Sequence, residues 1–189
     1  MNIILPDGSV KELAEGATIA DVAASIGAGL AKAALAGKID GAPADLNAPV
    51  HDGATVEIIT SKSAEALGIM RHSCAHVMAE AVQELFPGAQ IAFGPATEDG
   101  FFYDFELSRS LTPDDFAAIE EKMAAIVKAD EPFVREVVSR DEAKPIFADQ
   151  RFKLEHIDEL PADEEISIYR HGDFVDLCSG PHLPSAGKI

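Results

Sequence analysis

Two histidines, His72 and His76, stand four apart in "RHSCAHVMAEAV", and Cys178 and His182 stand four apart in "DLCSGPH". Imidazole nitrogen and thiolate sulfur are the donors that zinc takes, and four of them can close a tetrahedron. The same groups without a metal can move protons, because histidine titrates near neutrality and a thiolate forms once its pKa is depressed. Gly180 and Pro181 make the second segment a loop rather than a knuckle. Spacing alone leaves three readings open: a zinc set of His72, His76, Cys178 and His182, a metal-free polar pocket, and packing histidines.

Other polar residues add to the constellation. Asp176 lies two residues before Cys178, Lys153 sits in "RFKLEHI", and Tyr103 follows the turn in "TEDGFFYDF". A lysine can act as acid or base if its surroundings are partly dry. Each also has a plain reading: Lys153 as a surface charge, Tyr103 as a strand aromatic, Asp176 as an edge carboxylate. Their convergence on one site would favour chemistry over packing.

These residues need elements to hold them. Ser63 is a candidate cap for a long helix ending at Pro87-Gly88, with Leu67, Met70, Cys74, Val77, Met78, Ala81 and Leu85 as its apolar stripe. Cys74 is two residues from each histidine, roughly 200° around the helix, so this pattern puts Cys74 in the core and His72 and His76 on a free face. "QIAFGPATEDGFFYDFEL" reads as two strands around a turn, with Phe101, Tyr103 and Phe105 on one side. "LTPDDFAAIEEKMAAIVKAD" is a helix with Thr112 as cap, Pro113 in its first turn, and Phe116, Ile119, Met123, Ile126 and Val127 as its stripe. "PFVREVVS" is a strand, and Ser139 with Glu142 forms a capping box for a short helix. "RFKLEHI" reads as a strand with Phe152 and Leu154 inward and Lys153 outward or into a cleft. "EISIYR" and "FVDLC" are strands, and in the second Asp176 and Cys178 share a face.

The first sixty residues form a separate small unit. "NIILPDGSVKEL" is a hairpin with an Asp7-Gly8 turn, and "TIADVAASIG" is a helix from cap Thr18 to stop Gly27. Short strands follow, ending in a regular one at Val56–Ile59, which suggests a β-grasp, ubiquitin-like module. His51 beside Asp-Gly is a turn residue. The expected fold is α+β: a β-grasp domain at residues 1–61, then an α+β domain at 62–189 with helices packed on a mainly antiparallel sheet.

The 189 residues are 47% hydrophobic and 25% charged, ordinary for a globular chain. A net charge of −18 argues against a broad, non-specific nucleic-acid surface, which needs Lys and Arg to neutralise phosphates. Two cysteines are too few for a disulfide framework, and no long apolar span interrupts the chain. The expectation is a reduced, cytoplasmic protein with no membrane partner. Because "PHLPSAGKI" directly follows a site motif, the chain is expected to be a piece of a longer one.

"RHSCAHVMAEAVQELFP", "IAFGPATEDGFFYDF" and "DFVDLCSGPH", in this order behind a β-grasp module, resemble the N-terminal region of bacterial-type threonyl-tRNA synthetases. The resemblance covers the whole chain: residues 1–61 look like the TGS domain and 62–189 like the editing domain. The paired histidine and Cys-His spacing is shared with the alanyl-tRNA synthetase editing family, whereas "GFFYDF" and "CSGPH" favour the threonyl family. The resemblance implies hydrolysis of serine wrongly esterified to tRNA(Thr), with His72 and Lys153 handling protons and Cys178 and Asp176 orienting water and the seryl amine. His76, His182 and Tyr103 would position the terminal adenosine and the ester.

The threonyl-type pocket works without zinc and the alanyl-type pocket is associated with it, so no cofactor is expected here and zinc is the alternative. A longer synthetase would use ATP, magnesium and a catalytic-core zinc, and would form a homodimer through domains not seen here. The aminoacylation core is absent, so this region would be monomeric and would grip tRNA weakly. Two rival readings are a zinc-dependent deacylase of the alanyl-editing type and a non-catalytic TGS interaction module.

Overall fold

A computed structural model describes all residues, Met1–Ile189. The chain divides into two compact units, Met1–Met70 with Gly180–Pro184, and Arg71–Ser179 with Ser185–Ile189.

The first unit opens with an antiparallel hairpin, β1 (Asn2–Ile4) and β2 (Val10–Glu12), in which Asn2 faces Glu12. Its turn needs a left-handed residue, and Gly8 supplies it at φ 81°. Helix α1 (Ile19–Ile26) is capped at Thr18, whose hydroxyl accepts from the Asp21 N–H while the Asp21 carboxylate accepts from the Thr18 N–H. Gly27 ends α1, but a further short helix that the sequence pattern did not indicate, α2 (Ala28–Ala33), follows at once. β3 (Ala34–Ile39) then runs antiparallel between β4 (Ala42–Ala44) and β5 (Val56–Thr60). Ile3, Leu5, Ala17, Ile19, Val22, Val50, Ala54 and Val56 form a wholly apolar core. Gly37 allows the close approach of α1, because a Cβ there would meet Ile19 Cγ2 at 2.6 Å and the Glu57 carbonyl at 2.8 Å.

In the second unit β8 (Val134–Val138), β9 (Ile166–His171) and β10 (Phe174–Leu177) form an antiparallel sheet with β9 in the middle. Period-two alternation along β9 sends Ile166 and Ile168 to one face, where they meet Ala143, Phe147, Ile157 and Leu177. These come from α5 (Arg140–Ile146), its cap, α6 (Arg151–Glu159) and β10. Tyr169 goes to the other face and meets Val77, Ala81 and Val82 of α3 (Ala66–Leu85) and Ile119 and Ile126 of α4 (Pro113–Ala129). A small ladder of β6 (Gln90–Ile91) and β7 (Phe105–Glu106) packs through Ile91 against Ala75 and Ala79.

Three local expectations change. "RFKLEHI" is not a strand but the start of α6, and Lys153 is fully buried rather than outward. Alternation over five residues fits either element, whereas the spacing of Lys153, Ile157 and Leu160 is that of one helical face and the residues are good helix formers. The long helix begins at Ala66, and the Ser63 hydroxyl accepts instead from the Thr60 N–H. Its anticipated stripe is incomplete: Leu67 and Leu85 are exposed and Cys74 is only half-buried, while His76 is buried. The reason is that α3 is covered on two sides, by the α4 cluster and by the β6–β7 cluster, so no single stripe describes it. Phe116 of α4 is likewise exposed.

Candidate active site

The centre of the site is a buried ion pair. Lys153 Nζ lies 2.6 Å from Asp176 Oδ1, with the two side chains 0% and 2% exposed. The ammonium also donates to the Ala92 carbonyl and, at 3.2 Å, to the Tyr103 hydroxyl. Tyr103 in turn donates to Asp176 Oδ2 at 2.5 Å. A buried charge survives only when paired and hydrogen-bonded, and these contacts supply both needs. Burial and the neighbouring Asp176 carboxylate push the Tyr103 pKa far above its ordinary value, so its hydroxyl stays a proton donor to that carboxylate.

The local folding explains the convergence. Lys153 arrives from the first turn of α6, Tyr103 from the irregular segment just before β7, and Asp176 from β10, where the pleat turns it away from Leu177. Gly94 keeps the Tyr103 ring in place, because a Cβ at Gly94 would collide with that ring and approach the Phe102 carbonyl at 2.7 Å.

A second group lies beside the first. His72 Nε2 is 3.0 Å from Cys178 Sγ, and the His72 and His76 rings meet edge to face at 5.1 Å. His76 Nε2 lies 3.4 Å from Asp176 Oδ2, with the imidazole 3% exposed. Burial depresses the His76 pKa to about 4 against the pull of Asp176, with His72, Lys153 and His171 pushing the same way as burial. His76 is therefore neutral near pH 7. The other cysteine, Cys74, is one whose thiol burial pushes up, away from a reactive thiolate.

His182 belongs to the Gly180–Pro184 segment of the first unit, where it is buried and its N–H donates to Asp45 at 2.8 Å. Among the remaining predicted residues, His72, His76, Tyr103, Asp176 and Cys178 line a single cavity of 410 Å³ in the second unit. Lys153 stands behind Tyr103 and Asp176 rather than on the cavity wall. The wall includes residues that motif reading passed over: Phe93, His156 and Ser167. His156 is three residues beyond Lys153, so a helical reading of "RFKLEHI" would have put both on one side. Ser167 donates through its hydroxyl to the Cys178 carbonyl at 2.6 Å and ties β9 to the end of β10.

The donor set also bears on metal. Ligand atoms of His72, His76 and Cys178 lie within 4.8 Å of one another, and nitrogen and sulfur are the donors of a zinc site. In type and spacing these three residues fit zinc, which would supply a Lewis acid to a bound oxygen.

Residues 1–60 match the TGS domain family, and residues 166–189 match the family described as threonyl and alanyl tRNA synthetase second additional domain. Across 192 aligned residues the chain is 54% identical to a threonine–tRNA ligase of Thiobacillus denitrificans, covering all of this chain and 30% of that protein. The corresponding ligase of Pelobacter propionicus is 53% identical and that of an Azoarcus species 51%, again over 100% of this chain and 30% of each relative. No helix is long and apolar enough to cross a membrane. Over its whole length the chain corresponds to the N-terminal TGS and editing region of threonine–tRNA ligases.

Proposed function

We propose that this chain hydrolyses the ester of serine mistakenly attached to tRNA(Thr), with residues 62–189 as the editing part and 1–61 as a TGS-like part. The observation that carries this reading is the pairing of two groups on one cavity: His72 with Cys178, and Asp176 with Tyr103 backed by Lys153.

The need for such a step follows from chemistry. Serine lacks only the methyl of threonine, which a first binding site can discriminate by about 1–3 kcal/mol, so a second sieve is useful. In the proposed reaction a water oxygen bonds to the ester carbonyl carbon and the carbon–oxygen bond to the ribose breaks. His72 accepts the water proton, and that proton leaves with the ribose oxygen, giving serine and a free ribose hydroxyl. Cys178 holds the His72 ring, and Asp176 draws the seryl ammonium to the wall. Lys153 acts through Asp176 and Tyr103: its ammonium pairs with that carboxylate and fixes its direction. His76 and His182 are proposed to position the terminal adenosine and ester.

The aminoacylation chemistry of the relatives, with its ATP, magnesium and core zinc, and their dimerisation, are proposed to reside in the portion this chain does not span. The decisive experiment is deacylation of matched seryl- and threonyl-tRNA by wild type and His72→Ala. Wild type is expected to cleave the seryl ester and spare the threonyl ester, and His72→Ala to lose about 10²–10⁴-fold of the rate. Intact seryl-tRNA at high protein concentration would sink the proposal. The close donor set of His72, His76 and Cys178 supports a second reading, a zinc-dependent deacylase. Elemental analysis finding stoichiometric zinc in protein purified without chelator would replace the metal-free scheme with it.

A further inference from the structure

One buried polar pair takes no part in the proposed chemistry. His171 Nδ1 lies 2.6 Å from Glu80 Oε2, with the two side chains 2% and 13% exposed. The other ring nitrogen, Nε2, is buried without a hydrogen-bond partner, so the bond to Glu80 sets the direction of this ring. An apolar pair of similar volume would pack there without loss of stability, and often with a gain. The chain nevertheless keeps a directional link at this point, and the parts it joins show what it serves.

Glu80 stands four residues after His76 on α3, and so on the same helical face. His171 closes the β9–β10 hairpin directly opposite Phe174, across a turn in which Gly172 takes the left-handed conformation at φ 56°. Phe174 and Asp176, two residues apart, share a face of β10. Polar groups therefore join α3 to this hairpin at two points: His76 with Asp176 at 3.4 Å and, one helical turn on, Glu80 with His171. A turn of helix is about 5.4 Å and two residues of strand about 6.8 Å, so the two links run in step. Between them lies an aromatic slot. The His171 ring stacks on Phe133 at 4.6 Å and 16°, and Phe133 and Phe174 meet the His76 ring edge to face at 6.5 Å and 6.1 Å.

We propose that Glu80 and His171 are a positioning pair for the hydrolysis: they lock the hairpin end to α3 and so hold Phe133, Phe174 and the His76 ring in the direction that faces Asp176. Neither residue touches the ester. The His76–Asp176 contact by itself leaves the hairpin free to pivot about that point, and a second link one turn away removes the pivot. Direction matters because displacing a positioning group by about 1 Å can cost as much as 10²-fold in rate. The effect of the pair on rate rests on the proposed editing reading, whereas its hold on the His76 ring does not.

The test compares single-turnover hydrolysis of seryl-tRNA by the 189-residue chain as wild type, Glu80→Ala, Glu80→Gln and Glu80→Leu/His171→Phe, at a temperature where circular dichroism shows the proteins folded. Glu80→Ala is expected to lower the maximal rate about tenfold with little change in the concentration that gives half of it. Glu80→Gln, which keeps an acceptor for His171 Nδ1, is expected to restore most of the rate. The double variant fills the space with apolar groups and is expected to fold yet remain as slow as Glu80→Ala, so a Glu80→Ala chain that fails to fold does not remove the test. In NMR the His76 ring-proton signals, assigned by their loss in His76→Gln, lie within the ring currents of Phe133 and Phe174. They are expected to move in the double variant and to stay at their wild-type positions in Glu80→Gln. A wild-type rate or unmoved His76 signals in the double variant overturn the positioning role and leave the editing reading standing. Wild type that leaves seryl-tRNA intact overturns the editing reading, and the His76 signals then decide the role of the pair on their own.

Discussion

Residues 1–70 and residues 71–179 treat polar groups in opposite ways. In residues 1–70 every buried side chain is apolar, and the polar contacts sit at or near the surface, as in the Thr18–Asp21 cap and the His51–Asp40 pair. In residues 71–179 the interior holds Ser73, His76, Lys153, Ser167, His171 and Asp176. Beside the site, His171 Nδ1 meets Glu80 at 2.6 Å and its ring stacks on Phe133 at 4.6 Å. Burying such groups costs free energy unless they are paired, so a chain that buries this many in one place is answering a demand other than stability. Residues 1–70 show what a sequence does when packing alone is required.

That contrast can be broken most directly at its centre. Lys153→Met leaves Asp176 buried without its cation, and a loss of about 3–5 kcal/mol of stability is expected. Tyr103 and Tyr169 are the two tyrosines of a chain without tryptophan, so urea unfolding followed by tyrosine fluorescence reads the second unit selectively. An unchanged midpoint would show that the pair contributes nothing. The double variant Lys153→Met/Asp176→Leu is expected to recover part of the loss.

Acid should act on the second unit next. The His76 pKa is depressed to about 4 in the folded chain by burial, below an ordinary value of 6.5, so the unfolded chain binds more protons between those two values. Stability is therefore full above about pH 6.5 and falls as pH drops towards 4, by up to about 3 kcal/mol. In metal-free buffer His76→Gln is expected to flatten that slope in the tyrosine-monitored transition, and an unaltered slope would assign it to other groups.

A matched pair of glycines sharpens the comparison further. Gly37→Ala and Gly94→Ala both force a methyl against close neighbours, and each is expected to cost about 1–3 kcal/mol. Gly94→Ala should also slow seryl-tRNA hydrolysis, because the Tyr103 ring must move and its hydroxyl leaves Asp176, whereas Gly37→Ala should leave the rate alone. Equal effects on the rate would refute the separation of packing from chemistry. The smallest effect is expected at Thr18→Ala, about 1 kcal/mol from the lost cap, read by far-ultraviolet circular dichroism.

Much of this was legible in the residues. The hairpin at Asp7-Gly8, the cap at Thr18, the capping box of Ser139 and Glu142, and the shared face of Asp176 and Cys178 all depend on neighbours within a few positions. The order of "RHSCAH", "GFFYDF" and "CSGPH" pointed to the matched family. What failed was the surroundings of particular side chains. The segment around Lys153 is too short for alternation to separate strand from helix, and a helix covered on two sides, such as α3, has no single apolar stripe to read. His156 and Phe93 stayed hidden because each is ordinary in its own segment.

By itself, then, the sequence determined the local elements and which reactive residue types the chain carries, since caps, turns and periodicity act over a few residues. Only the tertiary structure decided that Lys153 is a buried partner of Asp176 rather than a surface charge, that His76 is buried and neutral, and that Phe93 and His156 share one wall. Burial and pairing between residues as far apart as Tyr103 and Asp176 are properties of packing, and packing sets the protonation and direction on which the proposed chemistry depends.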